Sequence, residues 1–156
     1  MRRRSPDAAG GFTSVAAVFL LGLIGGVLAN VYFSFLIWPG TVIRVIGILP
    51  LLLGVALFAW ARASFRHHMT ALMPWSRTTA LVTDGPYGFS RNPIYLSFVL
   101  MYLGLSFIFD SAYVLIVLVV VVVLFDRLQI PREERYLRGL FGAEFDSYAS
   151  EVRRWI

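Results

Sequence analysis

Long apolar segments separated by short polar connections dominate this sequence. They predict helices over residues 12–37, 41–61, 93–109 and 112–130. About twenty apolar residues suffice to cross a bilayer as a helix. An open strand in lipid would leave its backbone N–H and C=O groups without hydrogen-bond partners. The pattern therefore predicts an all-α integral membrane protein with about four transmembrane helices.

The third and fourth segments form a tight helical hairpin around Asp110-Ser111. At about 1.5 Å per residue the third segment extends roughly 25 Å, slightly less than the hydrocarbon core. We expect the fourth helix to continue beyond the bilayer and to end before Pro131. In the first segment, Gly22 and Gly26 are spaced for a close helix contact inside the bundle.

Residues 131–156 predict a cytoplasmic, amphipathic helical tail with a break at Gly142. Its apolar residues recur at spacings of four and three, which places them on one helix face. That face can lie on the membrane surface, or it can pack on the bundle and close a pocket over a cofactor. The residues of the face are Phe141, Phe145, Tyr148, Val152 and Trp155.

Composition and charge support a membrane assignment for the 156 residues, of which 58% are hydrophobic. There is no cysteine and no lysine, so thiolate and Schiff-base chemistry are excluded. All arginines except Arg44 fall on one side of four spans, which predicts that this side and both termini are cytoplasmic. We expect a single domain over 1–156 with a retained first helix, in a bacterial inner membrane. The expected partner is the lipid bilayer and not nucleic acid.

A metal site is not expected, although two histidines are adjacent in the long polar connection at residues 62–92. His67 and His68 would point in different directions on a helix, and the chain contains no third histidine to complete a site.

A polar, turn-rich segment at residues 85–96 leads directly into the third apolar segment. Asn92 and Pro93 are typical of a helix start, with Asn92 as the N-cap and Pro93 at the first helical position. The first N–H groups of such a helix attract carboxylates and phosphates, and Arg91 adds a full positive charge. This junction is the candidate site.

Two motifs resemble the isoprenylcysteine carboxyl methyltransferase family, whose superfamily includes phospholipid N-methyltransferases. Together with the apolar residues between them they cover roughly residues 82–156. The first motif consists of Gly85-Pro86-Tyr87 and Arg91-Asn92-Pro93-Ile94-Tyr95-Leu96. The second consists of Glu133-Glu134-Arg135-Tyr136-Leu137, Phe141-Gly142-Ala143-Glu144-Phe145, Tyr148 and Val152-Arg153-Arg154-Trp155.

The resemblance implies an S-adenosylmethionine-dependent methyltransferase acting on a lipophilic small molecule or a lipidated substrate. Methyl transfer from a sulfonium needs alignment and a dry pocket, with no metal. Glutamates can accept hydrogen bonds from the ribose or the ammonium of the cofactor, and Arg91 can bind its carboxylate. The implied catalytic residues are Arg91, Asn92 and Glu134. The implied cofactor-binding residues are Tyr87, Arg91, Asn92, Pro93, Tyr95, Leu96, Glu133 and Glu134.

Two positions depart from the family pattern. Asn92 stands where the family usually has histidine, and Ser97 replaces a glycine. Asparagine cannot take up a proton at physiological pH, so an acid–base role at this position is lost. Two alternatives stay open: an NADPH-dependent membrane reductase of the sterol-reductase type, and a non-catalytic membrane protein of the same fold.

Overall fold

The computed structural model describes residues 11–33, 35, 40–67 and 80–156. For residues 11–15 and 65–67 it describes the backbone only. The three N-terminal arginines, His68 and the His67 side chain lie outside this description. The described residues form six α-helices and no strand. The helices are α1 Gly11–Phe33, α2 Thr41–His67, α3 Pro93–Ile108, α4 Ala112–Leu124, α5 Ile130–Phe141 and α6 Ala143–Glu151.

The prediction of an all-α membrane protein is confirmed. Among the described residues, three stretches are long and apolar enough to cross a membrane, namely Ala16–Phe33, Thr41–Ser64 and Ala112–Phe141. The helix Pro93–Ile108 is apolar but shorter. Side chains on α1, α2 and α4 are widely exposed although apolar, as expected for surfaces that face lipid.

Two predicted helix ends differ from the observed ones. The first helix ends at Phe33, because the Phe35 N–H donates to the side chain of Asn30 and the Phe35 carbonyl accepts from Ala112. Those bonds tie Phe35 to α1 and to the start of α4, and the other residues predicted to extend the first helix to residue 37 lie outside the described residues. The second helix continues beyond residue 61 to His67, since helical hydrogen bonding does not require apolar side chains.

The expectation that the fourth helix ends before Pro131 was wrong. A π-helical turn at Phe125–Gln129 joins α4 to α5, and the Ile130 N–H bonds to the carbonyl of Phe125. Proline removes one backbone donor and clashes with the carbonyl four residues earlier, and a locally widened turn accommodates both effects. The helical path therefore passes Pro131 and ends at Gly142, where φ is +53°. The predicted break at Gly142 is confirmed.

Glycines set the helix spacing in the bundle. The predicted close contact at Gly22 and Gly26 is confirmed, because a methyl group on Gly26 would lie 3.0 Å from the Cα of Val114. On the other side of the bundle, α2 and α3 touch at Gly47 and Gly104, where a methyl group on Gly104 would lie 2.6 Å from the Gly47 carbonyl oxygen. Such contacts let the helix backbones pack closely. Close packing is important in a membrane, because the hydrophobic effect does not drive helices together in lipid.

An aromatic and aliphatic core lies where α1, α3 and α4 meet. Phe19 stacks on Phe98 and on Phe125, with ring centroids 5.1 and 5.3 Å apart. Tyr95 packs on Phe125 at the end of this core that adjoins the polar junction. The core thereby positions the first turn of α3 against the π-helical turn.

Candidate functional site

The polar junction leads into α3 through a short 3₁₀ turn at Gly85–Gly88, which Gly85 enters with φ at +58°. Tyr87 is buried in this turn, and its carbonyl accepts a 2.8 Å hydrogen bond from the hydroxyl of Tyr148 on α6. Burial raises the pKa of Tyr148 to about 12, since the charged phenolate would be desolvated. The same cause raises the pKa of Tyr87. Both tyrosines are therefore neutral at physiological pH.

The C-terminal segment runs back along the junction. The Arg91 N–H donates to the Arg153 carbonyl at 3.0 Å, and the Asn92 side-chain amide donates to the Arg154 carbonyl at 3.0 Å. The Ser90 hydroxyl approaches the same carbonyl at 3.5 Å and accepts from the Asn92 N–H. These bonds join the two sequence motifs into one polar region.

Asn92 precedes α3 as predicted, with Pro93 as the first helical residue, but the Asn92 side chain does not cap the helix. Its amide is directed to the C-terminal segment instead. The first turn of α3 is therefore left without a side-chain cap. The expected N-cap bond from the Asn92 side chain is therefore not formed, because that side chain bonds to the carbonyl of Arg154 instead.

Four charged side chains form a cluster beside this junction, which we call the arginine–carboxylate cluster: Arg91, Asp126, Glu134 and Arg154. Arg154 binds both Glu134 oxygens, with Nε 3.1 Å from Oε1 and Nη2 2.9 Å from Oε2. Arg91 Nη1 lies 3.2 Å from Oε1 of the same carboxylate, and the Arg91 and Glu134 side chains are each 16% exposed. Such charge-assisted pairs are shorter and stronger than neutral hydrogen bonds.

Asp126 extends the cluster from the π-helical turn. Its Oδ1 accepts from Arg154 Nη1 at 3.3 Å and from the indole N–H of Trp155 at 2.9 Å. These carboxylates raise the pKa of Arg154, the bond to Glu134 having the largest effect. Arg154 therefore links the C-terminal segment to the π-helical turn and to α5.

Glu133 is in a different environment from Glu134. Its Oε1 accepts from the Tyr95 hydroxyl at 2.8 Å and from the Gln129 amide at 3.0 Å, so its partners are neutral. Within the residues that the structure describes, no hydrogen-bond donor reaches its Oε2. Arg91 Nε is also buried and has no hydrogen-bond partner among these residues. Glu133 Oε2 and Arg91 Nε therefore lack a partner among the described residues.

The structure brings most of the predicted site residues together. Arg91, Glu134 and Asn92 belong to one connected region, while Glu133 and Tyr95 form a hydrogen-bonded pair next to it. Pro93 and Tyr87 are buried in the adjoining backbone, and Leu96 lies in the first turn of α3, where its N–H bonds to the Asn92 carbonyl.

Sequence reasoning did not single out Asp126, Arg154 and Gln129, which the structure places in contact with predicted site residues or with one another. The second motif contains both Arg153 and Arg154, and the sequence does not indicate which of the two side chains points towards the site. After α6 the chain is extended at Val152, and successive side chains of extended backbone point to opposite sides. Arg154 consequently points inward and Arg153 outward.

Comparison with known proteins finds a matching family and several similar proteins. The profile of the phospholipid methyltransferase family matches residues 42–144, which include Arg91 and Glu134 and stop short of Arg154. The cobalt-zinc-cadmium resistance protein CzcN of Cupriavidus metallidurans is 33% identical over 124 residues, which cover 79% of this chain and 55% of CzcN.

Two further relatives match shorter segments. Protein-S-isoprenylcysteine O-methyltransferase B of Arabidopsis thaliana is 36% identical over 72 residues, covering 46% of this chain and 36% of the relative. An uncharacterized protein of Haemophilus influenzae is 32% identical over 63 residues, covering 40% of this chain and all of the relative. The chain thus spans 55% of the length of the first relative and 36% of the second. No solved structure matches.

Proposed function

The chain belongs to the phospholipid methyltransferase family, and from this membership we propose that it is an S-adenosylmethionine-dependent methyltransferase with a lipophilic or membrane-associated acceptor. The observation that carries the proposal is the contact between Arg91 and Glu134, which joins the two motifs at the start of α3. The isoprenylcysteine activity named for the Arabidopsis relative supports an acceptor of that kind.

The available polar atoms fit the amino-acid end of this cofactor. A carboxylate would accept from Arg91 Nε, which is buried without a partner among the described residues, and from the first turn of α3, which has no side-chain cap. An ammonium or a ribose hydroxyl would donate to Glu133 Oε2. Arg154 and Tyr95 then act as positioning residues, because their side chains hold Glu134 and Glu133 in place.

When bound, the cofactor supplies a methyl group activated by its sulfonium. The protein contributes alignment and the exclusion of water, which are the main requirements of an in-line displacement. Trp155 packs against the core beside Asp126 and shields this side of the cluster. Asn92 cannot act as a base, so acceptors that react without losing a proton, such as a carboxylate or a thiolate, suit this site.

We also propose that the site faces the cytoplasm, in a single domain over residues 1–156 of an inner-membrane protein. In the four-span arrangement predicted from the sequence, all arginines except Arg44 fall on the side of the site, and basic residues are retained on the cytoplasmic side. A soluble nucleotide cofactor would reach the site from there.

Calorimetric titration of the detergent-purified chain tests the proposal. We expect S-adenosylmethionine to bind and NADPH not to bind. Binding of NADPH alone would favour the reductase alternative, and binding of neither would favour a non-catalytic protein.

Two variants locate the site in the same titration. Arg91→Ala and Glu134→Gln should each weaken cofactor binding by about 1–3 kcal/mol, the range for a lost charge-assisted hydrogen bond. Arg153→Ala is the matched control, since its exposed side chain is directed away from the cluster. Unchanged affinity in both site variants would place the cofactor elsewhere.

A further inference from the structure

A second positively charged feature lies on the outer side of the helix that carries Glu134. It is a groove of about 420 Å³, lined by Arg127, Leu128, Pro131, Arg132, Glu134, Arg135 and Arg138. We refer to it as the arginine groove. It contains four arginines and one carboxylate.

The charges of the arginine groove are compensated only in part: Arg127 Nε lies 3.6 Å from Asp126 Oδ2. The Glu134 carboxylate is already bound by Arg91 and Arg154, which are not part of the groove lining. Arg138 pairs with Asp146 at 2.7 Å. Arg132 and Arg135 are exposed, and neither has an ion-pair partner in the part of the chain that the structure describes. Three residues apart on one helix, they present neighbouring positive charges.

The position of the groove along the helix favours a ligand from the membrane surface. Upstream, Val123 and Leu124 are about half exposed and apolar, as on a lipid-facing surface. Arg127 and Leu128 follow Leu124 by about 5 and 6 Å of helix, within a headgroup layer that is roughly 5–8 Å thick on each side of a bilayer. The backbones of Arg132 and Arg135 follow by about 12 and 17 Å, and helical side chains lean towards the N-terminus, so these long side chains extend back towards the headgroups. Leu128 is also 52% exposed, so the groove has an apolar edge directed towards the membrane.

We propose that the arginine groove binds the phosphate of an anionic phospholipid headgroup from the adjoining leaflet. Guanidinium groups bind phosphate oxygens with two parallel hydrogen bonds, and the unpaired Arg132 and Arg135 supply two such groups. The exposed Leu128 contacts the start of the acyl chains. This site adjoins the methyl-transfer site at Glu134 but binds through other arginines, and it does not depend on the proposed activity. It would hold the helix that carries Glu133 and Glu134 at a fixed depth.

Native mass spectrometry of the full chain in detergent tests the proposal. The protein is titrated with phosphatidylglycerol, with phosphatidylcholine and with inorganic phosphate. We expect one phosphatidylglycerol molecule to bind well before phosphatidylcholine, and inorganic phosphate to compete only weakly. Equal binding of both lipids would overturn the proposal. Full competition by phosphate at similar concentration would also overturn it, in favour of a site for the free anion.

The double variant Arg132→Gln/Arg135→Gln should lower the affinity for phosphatidylglycerol about 30-fold, at roughly fivefold for each arginine near an anionic surface. Arg62→Gln is the matched control, because Arg62 is an exposed arginine near the end of α2 and outside the groove. An equal loss in the control would indicate diffuse attraction and contradict a defined groove.

A measurement on the unaltered chain covers the case in which the double variant does not fold. Raising the ionic strength from about 0.05 to 0.5 M shortens the screening length several-fold and should reduce the preference for phosphatidylglycerol. A preference that does not change with salt would rule out binding through the exposed arginines.

Discussion

The helical bundle and the arginine–carboxylate cluster are held together by different forces. In the bundle, α2 and α3 meet backbone to backbone at Gly47 and Gly104, and contact distances alone determine the fit. In the cluster, Arg91 and Arg154 converge on Glu134 through charge-assisted bonds. The bundle is apolar and in lipid, whereas the cluster is partly open to solvent.

Because the bundle and the cluster are held by different forces, we expect one to determine the stability of the fold and the other to determine cofactor binding. A close-packed backbone contact tolerates no added atom, so its loss affects whether the chain folds. Ion pairs that remain partly exposed contribute less to stability, because water and salt screen them. The side chains of Arg154 and Glu134 are 33% and 16% exposed. We therefore expect changes in the bundle to lower the free energy of unfolding, and changes in the cluster to lower cofactor affinity.

Gly104→Ala should give the largest loss of stability. The added methyl group would lie 2.6 Å from the Gly47 carbonyl oxygen and 2.6 Å from the Leu51 nitrogen, and neither backbone atom can move easily. Overpacking of this kind costs about 1–3 kcal/mol, measured here as the free energy of unfolding in mixed micelles.

Gly25→Ala is the matched control for this change. A methyl group on Gly25 has no neighbour within 4 Å among the described residues, so stability should be kept or slightly improved. Equal destabilisation of the two variants would contradict the view that backbone contact holds the bundle.

Arg154→Met should give an intermediate loss of stability and a clear loss of cofactor binding. It removes the two hydrogen bonds from Arg154 to Glu134 and the one to Asp126, so that both carboxylates have fewer hydrogen-bond donors. About 1–2 kcal/mol of unfolding free energy is expected, reduced from the range for buried pairs because the site is partly exposed. The control Arg153→Met changes an exposed side chain. A variant that unfolds normally and binds normally would show that Arg154 has no positioning role.

Tyr148→Phe should give the smallest effect, about 1 kcal/mol, because it removes one hydrogen bond between α6 and the Tyr87 carbonyl. Tyr136→Phe is the matched control, since Tyr136 is 41% exposed. If the two variants are equally stable, α6 is not fastened to the junction by this bond.

The same variant has a defined pH signature. The pKa of Tyr148 is raised to about 12 by burial, with Arg91 lowering it by a smaller amount. The neutral form is therefore favoured in the folded protein. Its contribution to stability is complete below pH 10 and declines as the pH rises from 10 to 12. The decline should be shallower in Tyr148→Phe than in the unaltered chain, as followed by unfolding at each pH.

Part of the site could be predicted from local sequence. The junction at Asn92 and Pro93 was recognisable because a helix start has a local signature, and the glycine contacts were recognisable by their spacing in α1. The direction of the Asn92 side chain was not, since the carbonyl that attracts it belongs to Arg154. The passage of the helix through Pro131 also escaped prediction, because the π-helical turn has no clear local signature.

The sequence by itself determined the helical membrane class and the presence of two polar motifs, because hydropathy and helix-start residues act over short distances along the chain. Only the tertiary structure decided which charges meet. Arg154 reaches Asp126 and Glu134 because α6 and the extended residues after it bring the end of the chain back to the junction. Electrostatic pairing depends on distance in space, and the spacing of two residues along a chain does not specify that distance.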